Sequence, residues 1–278
     1  MEYFKFQFES MPAEKQDLVI AMLSESGFTG FEEDGQMLSA FIPVNDWQEN
    51  TFKQLIEQYD LKCTRSIIKE ENWNAQWEAD FDPVMVPHPE TGEKWVLIRA
   101  CFHEPDSAYP LHLEVTPKMS FGTGHHATTF LVVQQMGRMD FTGKKVIDFG
   151  AGTGVLAILA EKLGAADILA IDHDTWCMEN AAENLAANQC SHIRLLLADS
   201  INNADDSVDI ILANINLNII RDNLDGILQR LVPGGKAIFS GLLERDEPVL
   251  LAELSSRNAR VEGVFHKNGW IMVEALKC

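Results

Sequence analysis

The segment VIDFGAGTGVLAILA, residues 146–160, constrains the fold of this chain more than any other stretch. An apolar run typical of a buried strand is followed by glycines at alternate positions, Gly150, Gly152 and Gly154, and then by an apolar run typical of a helix. A strand that passes through a glycine-rich loop directly into a helix is the first half of a βαβ unit, which binds ligands beside that loop. The segment therefore predicts an α/β domain with a ligand site at the carboxyl end of this strand.

The spacing of the glycines bears on which ligand binds there. A dinucleotide-binding loop reads G-x-G-x-x-G, and Val155 stands where its third glycine would be. The loop can still bring backbone N–H groups close to a ligand, which need not be a pyrophosphate. Asp172 ends the next apolar run, DILAID, about twenty residues on, where acidic residues of nucleotide-binding folds accept hydrogen bonds from ribose hydroxyls. We expect a ribose-bearing ligand.

Two further strand ends point to the same crevice. Asp199 follows RLLLA and is placed to receive the exocyclic amino group of a base, and Asn214 follows DIILA at the end of a fourth strand. The series continues with KAIFSGLL, and the tail VEGVFHKNGWIMVEALK contains the hairpin signal Asn268-Gly269. A parallel sheet finished by an antiparallel hairpin is predicted.

The first seventy residues show a different pattern. Period-two and helical runs alternate in the order βαββαβ, from YFKFQFE to CTRSIIKE, which is typical of a ferredoxin-like module. The following stretch, with Trp73 and Trp77 four residues apart, is interpreted as a connector whose tryptophans pack. We therefore predict a small α+β domain at residues 1–70, a connector at 71–93 and the large domain at 94–278.

The composition of the chain limits the kinds of partner that it can bind. The net charge of −20 and the lack of any cluster of Lys and Arg argue against a nucleic-acid footprint, and a basic partner fits better. No apolar run is long enough for a membrane helix, and the N-terminus does not have the pattern of a signal peptide. We therefore expect a cytoplasmic chain without membrane contact. We also expect the chain to act as a monomer. Five scattered cysteines predict neither disulfides nor a metal site.

The strand-end residues, Asp148 and the glycines, Asp172, Asp199 and Asn214, resemble those of class I S-adenosylmethionine-dependent methyltransferases. Five motifs in order, TPKMSFGTGHHATT, VIDFGAGTGVLAILAEKLGA, LAIDHD, ILANIN and PGGKAIFSGLL, narrow the resemblance to the PrmA family of ribosomal protein L11 methyltransferases. The similarity covers most of residues 70–278 in motif and the first seventy in predicted architecture. It implies a Rossmann-like, seven-stranded, mostly parallel sheet preceded by a ferredoxin-like substrate-recognition domain.

The resemblance also implies site residues and a substrate. S-adenosylmethionine is expected to contact Thr129, Gly150, Gly152, Asp172, Asp199 and Asn214. The implied substrate is a ribosomal protein of the large subunit, free or assembled, which is methylated on lysine side chains and on its α-amino group. This sequence has FGTGHHATT where the family pattern is FGTGTHPTT, so His125 and Ala127 depart from it, and loss of the proline is expected to loosen the loop.

Methyl transfer to an amine requires an uncharged nucleophile more than acid–base chemistry. We hypothesise that the side-chain oxygen of Asn214 and the backbone carbonyl of Ile215 aim the amine lone pair at the methyl carbon. His125 is expected to form loop hydrogen bonds, and His173 to be exposed. Three alternatives remain: a methyltransferase acting on another amine, an amide or RNA; an NAD-dependent oxidoreductase; and a cofactor-binding assembly factor without activity.

Overall fold

The computed structural model describes residues 2–59, 61–69, 82–116, 122–204 and 207–278. The predicted packing of Trp73 and Trp77 lies outside these ranges. The chain divides into two compact units, residues 1–76 and 77–278, each with its own core.

The N-terminal unit has the predicted βαββαβ order. Its elements are β1 (Glu2–Phe8), α1 (Ala13–Glu25), β2 (Gly30–Asp34), β3 (Met37–Pro43), α2 (Glu49–Gln58) and β4 (Cys63–Lys69). The strands form one antiparallel sheet in the order β2-β3-β1-β4, which is the ferredoxin-like arrangement. Because side chains alternate along a strand, Phe4, Phe6 and Phe8 share one face of β1 and pack with residues of both helices, including Leu23 and Phe52.

The second unit begins with a small three-stranded sheet of β5 (Val84–Pro87), β6 (Lys94–Arg99) and β7 (Leu111–Glu114). Strand β5 falls in the range predicted as a connector, where it pairs antiparallel with β6. This part of the range therefore belongs to a sheet. The sequence VMVP is too short for its period to distinguish a strand from an extended linker.

The large sheet of this unit has seven strands in the order β10-β9-β8-β11-β12-β14-β13. These strands are β8 (Lys145–Phe149), β9 (Asp167–Asp172), β10 (Ile193–Leu197), β11 (Val208–Asn214), β12 (Leu231–Leu243), β13 (Ala259–Lys267) and β14 (Trp270–Lys277). Strands β8 to β12 run parallel, and β14 inserts antiparallel between β12 and β13. The predicted doubly wound sheet with a terminal hairpin is confirmed.

Five helices cover both faces of the large sheet: α3 (Ala127–Met136), α4 (Val155–Lys162), α5 (Thr175–Ala187), α6 (Leu217–Arg230) and α7 (Glu247–Ser256). Alternation along β8 sends Val146 into a core with α3 and α4, and Ile147 and Phe149 into a core with α6 and α7. The sheet is thus apolar on both sides, which leaves its strand ends as the accessible polar edges.

The hairpin turn between β13 and β14 is formed by Asn268 and Gly269, both with positive φ, as the predicted two-residue turn requires. It places Trp270 at the start of β14. In the described part of the chain, none of the helices combines the length and apolar content that crossing a lipid bilayer demands.

Candidate active site

A cavity of about 510 Å³ opens at the carboxyl edge of the large sheet. Six of the seven residues predicted for the site line it: Gly150, Gly152, Asp172, Asp199, Asn214 and Ile215. They come from the ends of four adjacent parallel strands, β8 to β11, which is why residues far apart in sequence meet there. The seventh, Thr129, does not line the cavity.

The glycine loop after β8 is tied down by its own neighbours. The amides of Gly150 and Ala151 both donate to the Ile171 carbonyl, at 2.8 and 2.9 Å, and the amide of Gly152 donates to Asp172 Oδ2 at 2.8 Å. These three amides already donate hydrogen bonds within the protein. The loop therefore contributes mainly its shape to the site, and not free N–H groups. Gly150 has φ of 79°, and a Cβ there would collide with the Ile215 side chain. The absence of a side chain lets the ends of β8 and β11 approach closely.

Asp172 is held in one orientation at the end of β9. Its Oδ2 accepts the Gly152 amide, and its Oδ1 accepts the amide of Asp174 at 3.0 Å. A carboxylate oxygen can accept two hydrogen bonds, so each oxygen keeps capacity for one more. Asp172 is buried yet lines the cavity, and its Oδ1 also lies 3.4 Å from Nδ1 of His173, so Oδ2 is the oxygen with fewer neighbours.

Asn214 ends β11 and is 7% exposed. Its Nδ2 donates to Thr129 Oγ1 at 3.3 Å, while its Oδ1 is buried without a partner. Thr129 itself is fully buried in α3. The predicted ligand contact of Thr129 stays a prediction; in the structure its hydroxyl contacts Asn214 and orients the amide so that its oxygen is the unsatisfied atom.

The next residue, Ile215, is positioned through its backbone. Its amide donates to the Ser240 carbonyl at 3.0 Å. Its own carbonyl oxygen lies against Gly241, where a Cβ would be 2.5 Å away. Gly241 also lines the cavity, and a side chain at this position would collide with the Ile215 backbone.

Asp148, at the end of β8, is 1% exposed. Its Oδ2 accepts the Ala157 amide at 3.1 Å, and its Oδ1 is a second buried oxygen without a partner. Burial, with a smaller contribution from the charge of Asp172, raises the pKa of Asp148 to about 7. Asp148 does not line the cavity, although Phe149 and Gly150, which follow it in sequence, do.

The charged side chains around the cavity are acidic. Asp172, Asp174 and Asp199 line it, and among the described residues of its lining there is neither Lys nor Arg. His126 also lines it, and burial lowers the pKa of that ring, which favours the neutral form. The cavity therefore has a negative potential that suits a cationic ligand and opposes a phosphate.

The two departures in the FGTGHHATT loop have structural consequences. Ala127 replaces a proline at the start of α3, and the His126 side chain caps this helix by accepting the Thr128 amide. His125 is within 2.8 Å of the Asp82 carbonyl through Nε2, in agreement with the loop role expected for it. A side-chain cap thus supports the helix start that the proline would preset.

Several lining residues were not predicted from the sequence, among them His126, Phe149, Ile219 and Trp270. The rings of His126 and Trp270 lie 4.5 Å apart at an angle of 75°. The only sequence signal for Trp270 was the preceding Asn-Gly turn, which predicts a hairpin but not what its strand faces.

Comparisons with known proteins identify the family of this chain. The family model described as ribosomal protein L11 methyltransferase (PrmA) matches residues 9–277. A protein of Porphyromonas gingivalis named ribosomal protein L11 methyltransferase is 39% identical, over 93% of this chain and 95% of its own length. One of the same name from Chlorobaculum parvum is 38% identical, over 84% of this chain and 83% of its own.

Among solved structures, a ribosomal protein L11 methylase from Lactobacillus delbrueckii subsp. bulgaricus is similar, with a TM-score of 0.62 and 27% identity. The match covers 69% of this chain and 98% of that one. The motifs, the strand order and these matches agree over nearly the whole length, and the chain belongs to the PrmA family of ribosomal protein L11 methyltransferases.

Proposed function

We propose that this protein transfers methyl groups from S-adenosylmethionine to the lysine side chains and the N-terminal α-amine of ribosomal protein L11. Membership of the PrmA family and the names of its relatives support the reaction and the substrate. The observation that carries the proposal is the Oδ1 of Asn214, a buried acceptor without a partner on a residue that lines a cavity with acidic charged side chains. An acceptor in that position suits an N–H group of the incoming amine.

The residues present fit the cofactor. Asp172 would accept hydrogen bonds from the ribose hydroxyls, and Asp199, which lines the same cavity, would accept one from the amino group of the base. Bound S-adenosylmethionine supplies a methyl group activated by a positively charged sulfur, and three carboxylates offset that charge. The pyrophosphate of NAD would meet the same carboxylates without a described cation, so the oxidoreductase alternative is disfavoured.

The protein must also keep the acceptor amine neutral. A free lysine has a pKa of ~10.4 and an α-amine ~8, so both are mostly protonated at pH 7. The carboxylates of the lining would favour the charged amine, but the positive sulfur of the cofactor offsets them. The apolar lining from Phe149, Ile219 and Trp270 desolvates the amine, which favours its uncharged form. Asn214 Oδ1 and the Ile215 carbonyl then accept its N–H groups and orient the lone pair, so most of the rate gain comes from positioning.

We further propose that the N-terminal unit recognises the substrate protein, and that the enzyme works as a cytoplasmic monomer on L11, free or in the large subunit. This unit has an independent core, so its removal can leave the other unit intact. Deleting residues 1–70 should preserve binding of S-adenosylmethionine in calorimetry while abolishing methylation of intact L11. Retained methylation of intact L11 would argue against the recognition role.

Mass spectrometry tests the reaction itself. Purified protein, S-adenosylmethionine and unmodified L11 should give L11 with added methyl groups, located by fragmentation on lysines and the N-terminus. Calorimetry should detect S-adenosylmethionine and not NADH. Cofactor binding with no methylation of L11, free or in large subunits, would support an inactive assembly factor or a different substrate.

A further inference from the structure

Trp176 is 77% exposed, the highest fraction among the large apolar side chains of the described residues. It lies in the first turn of α5, between Asp174 and Cys177, which both line the cavity. Leu197, 55% exposed, ends β10 directly before Ala198, another lining residue. Tryptophan is usually well buried, so its exposure beside a binding cavity, with a second apolar side chain at the same rim, calls for a partner.

The charge around Trp176 indicates what kind of partner. Trp176, Glu179 and Glu183 are spaced at i, i+3 and i+7, so they share the exposed face of α5, and Asp174 caps the start of this helix. The helix sequence, TWCMENAAENLAA, contains neither Lys nor Arg. Glu179 forms no ion pair within the described residues. The indole therefore shares the exposed face of α5 with Glu179, whose carboxylate a basic segment would complement.

We propose that Trp176, Leu197 and Glu179 form a docking surface, here called the rim surface, for a lysine-bearing segment of the methyl-acceptor protein. A lysine side chain fits both features, because its methylene stem packs on apolar surface while its ammonium group is attracted to an indole face and to carboxylates. The rim surface would hold lysines that flank the target while the target amine enters the cavity. This inference rests on the proposed methylation of L11 and adds a determinant of substrate specificity.

The test is a comparison of variants on intact L11. Trp176→Ala should raise the KM for L11 about 10-fold, with kcat and the Kd for S-adenosylmethionine unchanged, as truncating an aromatic anchor of an interface does. Trp176→Phe should retain most of the affinity. Glu179→Gln should raise the KM for L11 about 2-fold at low salt and leave it unchanged at high salt, because an ion pair between Glu179 and a lysine of L11 would be solvent-exposed. Phe102→Ala, which removes another exposed aromatic outside the cavity lining, is the matched control and should leave every parameter unchanged.

Three results would overturn the rim surface. One is an unchanged KM for L11 in Trp176→Ala, and another is an equal effect of Phe102→Ala. The third is a weaker Kd for S-adenosylmethionine in Trp176→Ala, because Trp176 would then serve the cofactor. Binding of L11 measured directly by calorimetry decides the matter independently of turnover. Wild-type protein that does not methylate L11 would refute the proposed function, whereas normal wild-type turnover with no effect of Trp176 would refute the rim surface alone.

Discussion

The two edges of the large sheet carry cavities of comparable size but opposite chemistry. At the carboxyl edge, the cavity of about 510 Å³ contains the unpartnered Asn214 oxygen and an acidic lining. At the amino edge, a cavity of about 390 Å³ has Lys144, Asp209 and Lys236 in its lining, and these three side chains form ion pairs. There Lys144 lies 3.3 Å from Asp209, and Lys236 lies 2.6 Å from the buried Glu274.

This difference in the pairing of polar groups helps to locate the ligand site on a sheet that has a cavity at each edge. A buried polar atom without a partner lowers stability, so a fold keeps one only where something else compensates. At the amino edge, Lys144 pairs with Asp209 and Lys236 pairs with Glu274. At the carboxyl edge, one oxygen each of Asn214 and Asp148 is buried without a partner, and Asn214 lines the cavity, as expected of the proposed ligand site.

The largest effect is expected from Asn214→Ala. Loss of the amide removes the acceptor that orients the amine, so kcat should fall about 10² to 10³-fold, as when other preorganised hydrogen-bonding groups are removed from active sites. Binding of S-adenosylmethionine should weaken much less. Steady-state kinetics and calorimetry provide the two values. Small, equal losses in both would show that Asn214 is a loop-stabilising residue.

Asp148→Asn tests the second unpartnered oxygen. Below pH ~4 the Asp148 carboxyl group is neutral in the folded and in the unfolded protein. Because its pKa in the folded protein is about 7, the unfolded chain loses the proton first as pH rises. The contribution of the Asp148 carboxyl group to the stability of the wild type is therefore lost between pH ~4 and ~7. The asparagine of the variant does not titrate, so the variant has no such loss. Relative to the wild type, the free energy of unfolding of the variant should rise by about 2–3 kcal/mol from pH 5 to pH 8.

Urea denaturation of both proteins at pH 5 and pH 8 measures that gain. Any constant cost of burying an amide cancels in the difference between the two pH values. A stability difference between variant and wild type that is independent of pH would mean that Asp148 ionises normally in the folded protein.

The smallest effect is expected at the amino edge. Lys144→Met breaks a partly exposed ion pair with Asp209, which should cost about 0–1 kcal/mol in urea denaturation. Because this edge is remote from the proposed chemistry, kcat and KM should match those of the wild type. A loss of turnover comparable to that of Asn214→Ala would remove the distinction between the two edges.

Much of the fold could be predicted from the sequence because its signals are local. The period-two run of phenylalanines in β1, the glycines after β8 and the Asn-Gly turn before β14 each specify backbone conformation within a few residues. The parallel order of the strands then brings the residues that follow them to one edge. That rule alone was enough to predict six residues of the cavity lining.

Other features of the site depend on pairs that are distant in sequence. Thr129 and Asn214 are 85 positions apart, and their hydrogen bond determines which amide atom of Asn214 stays unsatisfied. His126 meets Trp270 only because β14 inserts beside β12. The exposure of Trp176 depends on what packs around α5. Local preferences thus determined the elements, the strand-end residues and the family of this protein, while the orientation, pairing and burial of their side chains were decided by tertiary packing, which no local pattern encodes.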